Sequence, residues 1–457
     1  MDAFFASKWY LFLLQVLTLA SNAFGLELPV YSCFIAIGIY ISFFGKDYLP
    51  MIPIVFCCYI APSIDNNPGS NPESIFYPKH GGLLLYGMAA LFAASVVLRL
   101  ALDPQIGRRA FLTAERKLLP GIVSLGCAYL LAGAFSGHYF DHGWGNLIFA
   151  ALQFGAVALL YWFLCGAVKW KDAPRDFFGY TGILLGSILL VELFIVYQTV
   201  NPVDNGDIDR NLFYTGWGNY NNMGAMLAMM IPFAFYLGCT KRYSWIYNVF
   251  GVLLLAGVVL TFSRTSMVFA AIIYIACTVI LFLKTKERRS FWITNILIFG
   301  AILVMAVVRY YNVLLSFLEI FTIVRSIFSR FEGYADGIAQ FFSAPIFGAG
   351  FYATDCVLEE WSKVEAFTSF FPARWHNTVI QLAASCGIAG LAAYGWHRLQ
   401  TIRLLIKKPT TENVFIALSL TALLLTSLFD CHFFNIGPAL FYSMALAFME
   451  KHPEGAQ

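Results

Sequence analysis

The sequence predicts an all-α fold, a polytopic transmembrane helix bundle of about 12–14 spans. Three observations predict it. Sixty per cent of the 457 residues are apolar and 12% are charged, outside the balance of a soluble domain that must solvate its surface. The apolar runs are continuous over roughly twenty residues, as a membrane-crossing helix requires, whereas a barrel would show short alternating strands. Connections bearing Lys46, then Arg108, Arg109, Arg116 and Lys117, then Lys169, Lys171 and Arg175, then Lys241 and Arg242, then Lys284, Lys286, Arg288 and Arg289, then Arg398, Arg403, Lys407 and Lys408 alternate with connections poor in lysine. The positive-inside rule puts this basic set in the cytoplasm, and with an even number of spans both termini as well.

The first stretch, 1–200, reads as a run of amino-terminal spans. The apolar run after Lys8 lacks a convincing small-residue cleavage site and is followed at once by another span, so it is read as a retained helix. The window at 48–64 is the weakest, being short and holding Pro50 and Pro53. Glu192 falls inside a span, where an acid is either a functional group or a hydrogen-bond partner for another helix. A net charge of +3 leaves no basic stripe for nucleic acid. Of the ten cysteines, most fall in apolar runs and behave as small hydrophobes, and no metal-ligand spacing links Cys356 and Cys431. No metal and no cofactor is expected.

The second stretch, 201–400, carries three unusual connections on the side away from the basic set. Residues 201–222 are polar and lead into a span through Gly218-Asn219-Tyr220-Asn221-Asn222. Ser263-Arg264-Thr265-Ser266 separates two apolar runs with almost no loop. The segment 312–375 is the one long loop, about sixty residues, and a long connection in a compact protein is usually functional. Its stretches 320–331 and 334–342 have helical apolar spacing, which suits short interfacial helices. The third stretch, 401–457, holds carboxy-terminal spans and a cytoplasmic tail.

A guanidinium at the membrane boundary with no acid within a turn, as at Arg264, wants an anion. Its planar fork fits phosphate oxygens, and the Ser263 and Thr265 hydroxyls add donors. The alternative is an arginine that snorkels to ordinary phospholipid or caps a helix. The long loop adds Arg325, Arg330, Lys363 and Arg374, and Ser329-Arg330-Phe331 begins an amphipathic helix that runs toward Pro345-Ile346-Phe347-Gly348-Ala349-Gly350-Phe351. Those glycines either permit positive φ in a turn or let backbone approach a ligand closely. His376, in Trp375-His376-Asn377 at a helix start, can take a proton from a sugar hydroxyl or serve as a neutral cap. Glu332, Asp336 and Asp355 are alternative bases or solvated carboxylates. Asp430 and His432 lie at the same boundary and can line the same cavity.

The order of the Asn-rich helix start at 219–222, Thr261-Phe262-Ser263-Arg264, Ser329-Arg330-Phe331, Pro345-Ile346-Phe347-Gly348-Ala349-Gly350, and His376-Asn377 followed by Gly387-Ile388-Ala389-Gly390 resembles the O-antigen ligase and polymerase family of bacterial envelope proteins, over roughly 213–394. The resemblance implies a type C glycosyltransferase-like architecture in the cytoplasmic membrane, acting on its outer face without nucleotide sugar or metal. It implies a glycan donor linked to polyprenyl pyrophosphate, a glycan or lipid acceptor, and surrounding membrane lipids as partners. Arg264 and Arg330 match the arginines thought to hold pyrophosphate, and His376 the histidine of acceptor activation or donor positioning. Arg210 and Arg374 are helpers without a motif, and Asn377 joins the substrate-binding set. Thr265 stands where many members have glycine. The rival readings are a transporter or flippase of lipid-linked glycan, which should show broken helices near mid-membrane, and a non-catalytic partner in envelope polysaccharide assembly.

Overall fold

The computed structural model describes residues 2–451 apart from 6, 46, 61–81, 137–145, 148–149, 152, 172, 200–219, 286–287, 310–324 and 352–374. Its regular elements are helical. In chain order we number α1 (Lys8–Phe24), α2 (Glu27–Phe44), α3 (Met51–Ile60), α4 (Gly82–Leu102), α5 (Leu119–Leu130), α6 (Leu160–Ala167), α7 (Phe177–Thr199), α8 (Tyr220–Thr240), α9 (Ser244–Leu260), α10 (Arg264–Lys284), α11 (Arg288–Arg309), α12 (Arg325–Ser343), α13 (Thr378–Lys407), α14 (Thr411–Thr426) and α15 (Ile436–Lys451). Local chemistry sets several boundaries: Ser7 accepts from the Tyr10 N–H to cap α1, left-handed Gly25 closes it, and Thr410 caps α14.

The all-helical membrane architecture expected from composition is what the chain forms. Among the described residues α7, α8, α10 and α13 are long and apolar enough to cross a bilayer, and Ala90–Leu102 with Pro104–Leu112, bent by 98°, makes a fifth if counted as one span. Five further apolar helices are shorter, including Leu119–Leu130 and Ser244–Leu260. Pro53 sits inside α3, and Pro104 starts a new helix after the bend.

The core is built on α8, 89% of whose apolar window is buried against 39% for α10. Helix α8 is therefore surrounded by protein, by α7, α9, α10 and α14, whereas α10 keeps one face for lipid. Glu192 is buried in α7.

Contacts near the basic connections gather at one end of the bundle. Arg109 Nε donates to Gly166 O at 2.7 Å, Lys284 Nζ to Thr411 Oγ1 at 2.7 Å, and Lys408 Nζ to Glu450 O at 3.1 Å. Glu450 accepts from the Lys117 and Leu118 N–H groups at 2.8 and 3.2 Å, capping the start of α5. The starts of α8, α10, α13 and α15 lie at the other end.

Helix α13 is broken at Gly387 (φ 63°, ψ −155°), about 14 Å along the helix from Thr378 at 1.5 Å per residue. Backbone freed at that depth would cost several kcal/mol per group if unpaired. The segment following α12 supplies the partners. Ala349 N–H donates to Ala384 O at 2.9 Å and Gly350 N–H to Ser385 O at 3.0 Å, while Pro345 O and Ile346 O accept from Ile388 and Ala389 at 2.8 and 3.0 Å. Gly348 (φ +70°) permits the approach, since a Cβ there would lie 2.2 Å from Ser385 C. Both readings of the glycines hold at once: positive φ and close approach, with backbone as the neighbour.

Candidate active site

Helices α9 and α10 are joined by a turn of three residues, Thr261 to Ser263, in which Phe262 takes φ 54°. Its polar groups serve each other. Ser263 Oγ donates to Ser266 Oγ at 2.9 Å and Ser263 N–H to Thr261 Oγ1 at 3.3 Å. Gly224 of α8 lets the turn close down, because a Cβ there would lie 2.8 Å from Thr261 Oγ1. Ser263 is 2% exposed, and its hydroxyl serves the turn. Arg264 and Thr265 follow as the first residues of α10, both half-buried.

The stretches 320–331 and 334–342, expected as separate interfacial helices, contribute to one helix, α12, whose described portion begins at Arg325. It lies on the first half of α13, with Gly337 against Ile380 and Trp375. Phe331, Ile338 and Phe342 remain exposed on its other side, as an amphipathic helix at an interface requires. Arg330 Nη1 reaches Thr265 Oγ1 at 3.5 Å. Arg330 on α12 thus meets the first turn of α10, which also carries Arg264.

The same helix holds the histidine. Tyr334 Oη donates to His376 O at 3.2 Å, and Trp375 Nε1 to Gln340 Oε1 at 3.1 Å. His376 has φ 51° and a side chain 53% exposed. It is not the cap of α13. Asn377 is, accepting from the Val379 and Ile380 N–H groups at 2.8 and 3.1 Å and donating to Leu428 O at 2.8 Å. The Asn377 side chain thus ties the start of α13 to the end of α14.

Asp430, between α14 and a short 3-10 turn at His432–Phe434, faces His376, with Oδ1 3.5 Å from Nδ1. Cys431 N–H donates to the same oxygen at 2.7 Å, and His432 Nε2 stands 4.0 Å from Oδ2. Burial raises the Asp430 carboxyl, but the charge of His432, the bond and charge of His376, and the Cys431 N–H outweigh it and hold the group well below the usual carboxylate range. Tyr334 ties the halves together: burial raises its hydroxyl, with Arg330 opposing and Cys431 and Asp430 adding to the rise. Behind them His432 Nδ1 lies 2.8 Å from Asn222 Oδ1, which Asn435 also contacts.

Arg264, Thr265, Arg330, His376 and Asn377 therefore gather at one end of the bundle. Arg210, Arg374, Lys363 and Asp355 lie outside the described residues, as does the expected start at Asn219. Glu332 and Asp336 are exposed on α12. Asp430 and His432, candidates by sequence for lining the same cavity, are the acid that faces His376 and the histidine beside that acid. The available signal was a polar Asp-Cys-His between two apolar runs. Among the described residues no group of three or more His, Cys, Asp or Glu is placed to hold a metal ion.

Residues 249–395 match the model of the O-antigen ligase family. The match runs from α9 into α13 and takes in Arg264, Arg330 and His376, but not Asp430. No curated protein matches the chain.

Proposed function

From an O-antigen ligase/polymerase assignment resting on residues 249–395, we propose that this multi-pass membrane protein moves a glycan from a polyprenyl-pyrophosphate carrier to an acceptor hydroxyl on the outer face of the cytoplasmic membrane. The observation that supports it is the Arg330–Thr265 contact, which brings the helix that carries Arg330, and that also meets His376 through Tyr334, to the start of the helix that carries Arg264. Pyrophosphate is a competent leaving group, so the main task is to offset the charge that grows on it as the sugar C1–O bond breaks. Arg264 and Arg330 do this, and Thr265 orients Arg330. His376 Nδ1 faces Asp430, which leaves Nε2 to accept the acceptor's proton as its oxygen bonds to C1. The products are the glycosidic bond and free polyprenyl pyrophosphate. The basic connections lie at the cytoplasmic end and the site at the other.

A transporter reading draws on the break at Gly387. It is the weaker reading, because the backbone groups freed there bind the segment 345–350 and are not offered to a ligand. Proteoliposomes given an undecaprenyl-pyrophosphate oligosaccharide and an acceptor glycan distinguish the two. Wild type releases carrier and forms product, and R264A and H376A lose both. Transfer of donor across the vesicle with no bond broken would replace this reading with transport.

A further inference from the structure

Resting on that reading, we infer that His432 is a positioning residue: a buried imidazolium, held between Asn222 and Asp430, that fixes the carboxylate facing His376 and tempers its charge. The argument begins with Asn222. Its Oδ1 accepts from Asn435 Nδ2 and stands 2.8 Å from His432 Nδ1, so this pattern puts a proton on Nδ1. The other ring nitrogen, Nε2, faces Asp430 Oδ2 at 4.0 Å. A carboxylate opposite Nε2 favours a proton there too. His432 is 1% exposed, and a charge in that position persists only with a counter-charge. Asp430 is that counter-charge.

The groups around the pair are few among the described residues. Cys431 is beside it in sequence, His376 precedes α13, and Tyr334 and Arg330 approach from α12. From α8 comes Asn222. On the far side of the 3-10 turn the Phe433 ring packs on Tyr394 and Tyr442 and separates the pair from Arg398, whose guanidinium carbon is 5.2 Å from that ring. No carboxylate other than Asp430 takes part in these contacts.

Two consequences follow. His432 and Asn222 keep the carboxylate from turning away from His376, and the imidazolium offsets part of the negative charge that His376 feels. Without that offset His376 faces the full charge of the carboxylate.

Histidine side-chain 15N NMR on the full-length protein in nanodiscs reads the first part with no substrate. The expected spectrum has both His432 ring nitrogens protonated at pH 7, assigned by their loss in H432N, with one of those protons lost in D430N. A singly protonated His432 in wild type, as an inverted Asn222 amide would produce, overturns the proposal. The second part is read from carrier release against pH with an undecaprenyl-pyrophosphate oligosaccharide. H432N should move the acid limb up by about one pH unit and D430N should move it down. A uniform loss in H432N with an unmoved limb marks a merely structural residue and overturns the proposal. If H432N fails to fold, H432Q supplies the assignment and the wild-type and D430N spectra decide. Absence of carrier release by wild type counts against the transferase reading alone, since the NMR result does not depend on it.

Discussion

His376 and Asp430 meet at 3.5 Å from Nδ1 to Oδ1, across 54 positions of sequence and two different helix boundaries. D430N should retain the fold and lower carrier release roughly 10²-fold. Because the Asp430 carboxyl is held below its ordinary range, its contribution to stability is complete above the unfolded value of about 3.9 and is lost as pH falls through the lower folded value. The difference in thermal midpoint between wild type and D430N should therefore narrow as pH falls below about 4. A difference undiminished between about pH 5 and pH 3 would contradict this.

Arg330 should tolerate neither alanine nor lysine, since lysine keeps the charge and loses the planar fork. Carrier release should fall about 10²-fold or more in R330A and about tenfold in R330K. T265V, which removes the hydroxyl that accepts from Arg330, should cost about fivefold, the roughly 1 kcal/mol of an ordinary intramolecular hydrogen bond. Steady-state kinetics on purified variants checks the ranking.

Gly348 and Gly387 should not accept alanine. Each has positive φ, and a Cβ would lie 2.2 Å from Ser385 C and 2.5 Å from Ile346 C respectively. Either substitution should destabilise by about 2 kcal/mol or more, seen as a lower thermal midpoint in detergent. A midpoint equal to wild type in G387A would show that the break does not depend on glycine.

At the opposite end, E450A removes the acceptor for the Lys117 and Leu118 N–H groups and for Tyr161 Oη. Leaving those donors without it should cost about 1–3 kcal/mol of stability. Turnover per folded molecule should not change, because Glu450 is remote from the site. Loss of turnover at full stability would instead link the two ends.

Sidedness is testable at exposed positions. E332C on α12 and E115C near the basic connections are both exposed. A membrane-impermeant maleimide applied to intact cells should label E332C, and E115C only after permeabilisation. The reverse pattern would invert the topology.

Local information was enough for much of this protein. Apolar runs of about twenty residues indicate membrane helices, amphipathic spacing marked α12, and the boundary arginine and His376 stood out because charge next to a bilayer is costly. Those properties belong to a residue and its near neighbours. What only the tertiary structure decided are meetings between distant segments. Packing of α13 beside α14 brought Asp430 to His376, and α8 brought Asn222 to His432. The Ser263 hydroxyl serves a buried turn, and the half-buried Asn377 amide serves a cap. The break at Gly387 was invisible to hydropathy because its partners lie some forty residues earlier, at 345–350. Hydropathy sums over neighbours along the chain, whereas hydrogen bonds and ion pairs depend on which segments the close-packed bundle puts within about 3–4 Å of each other.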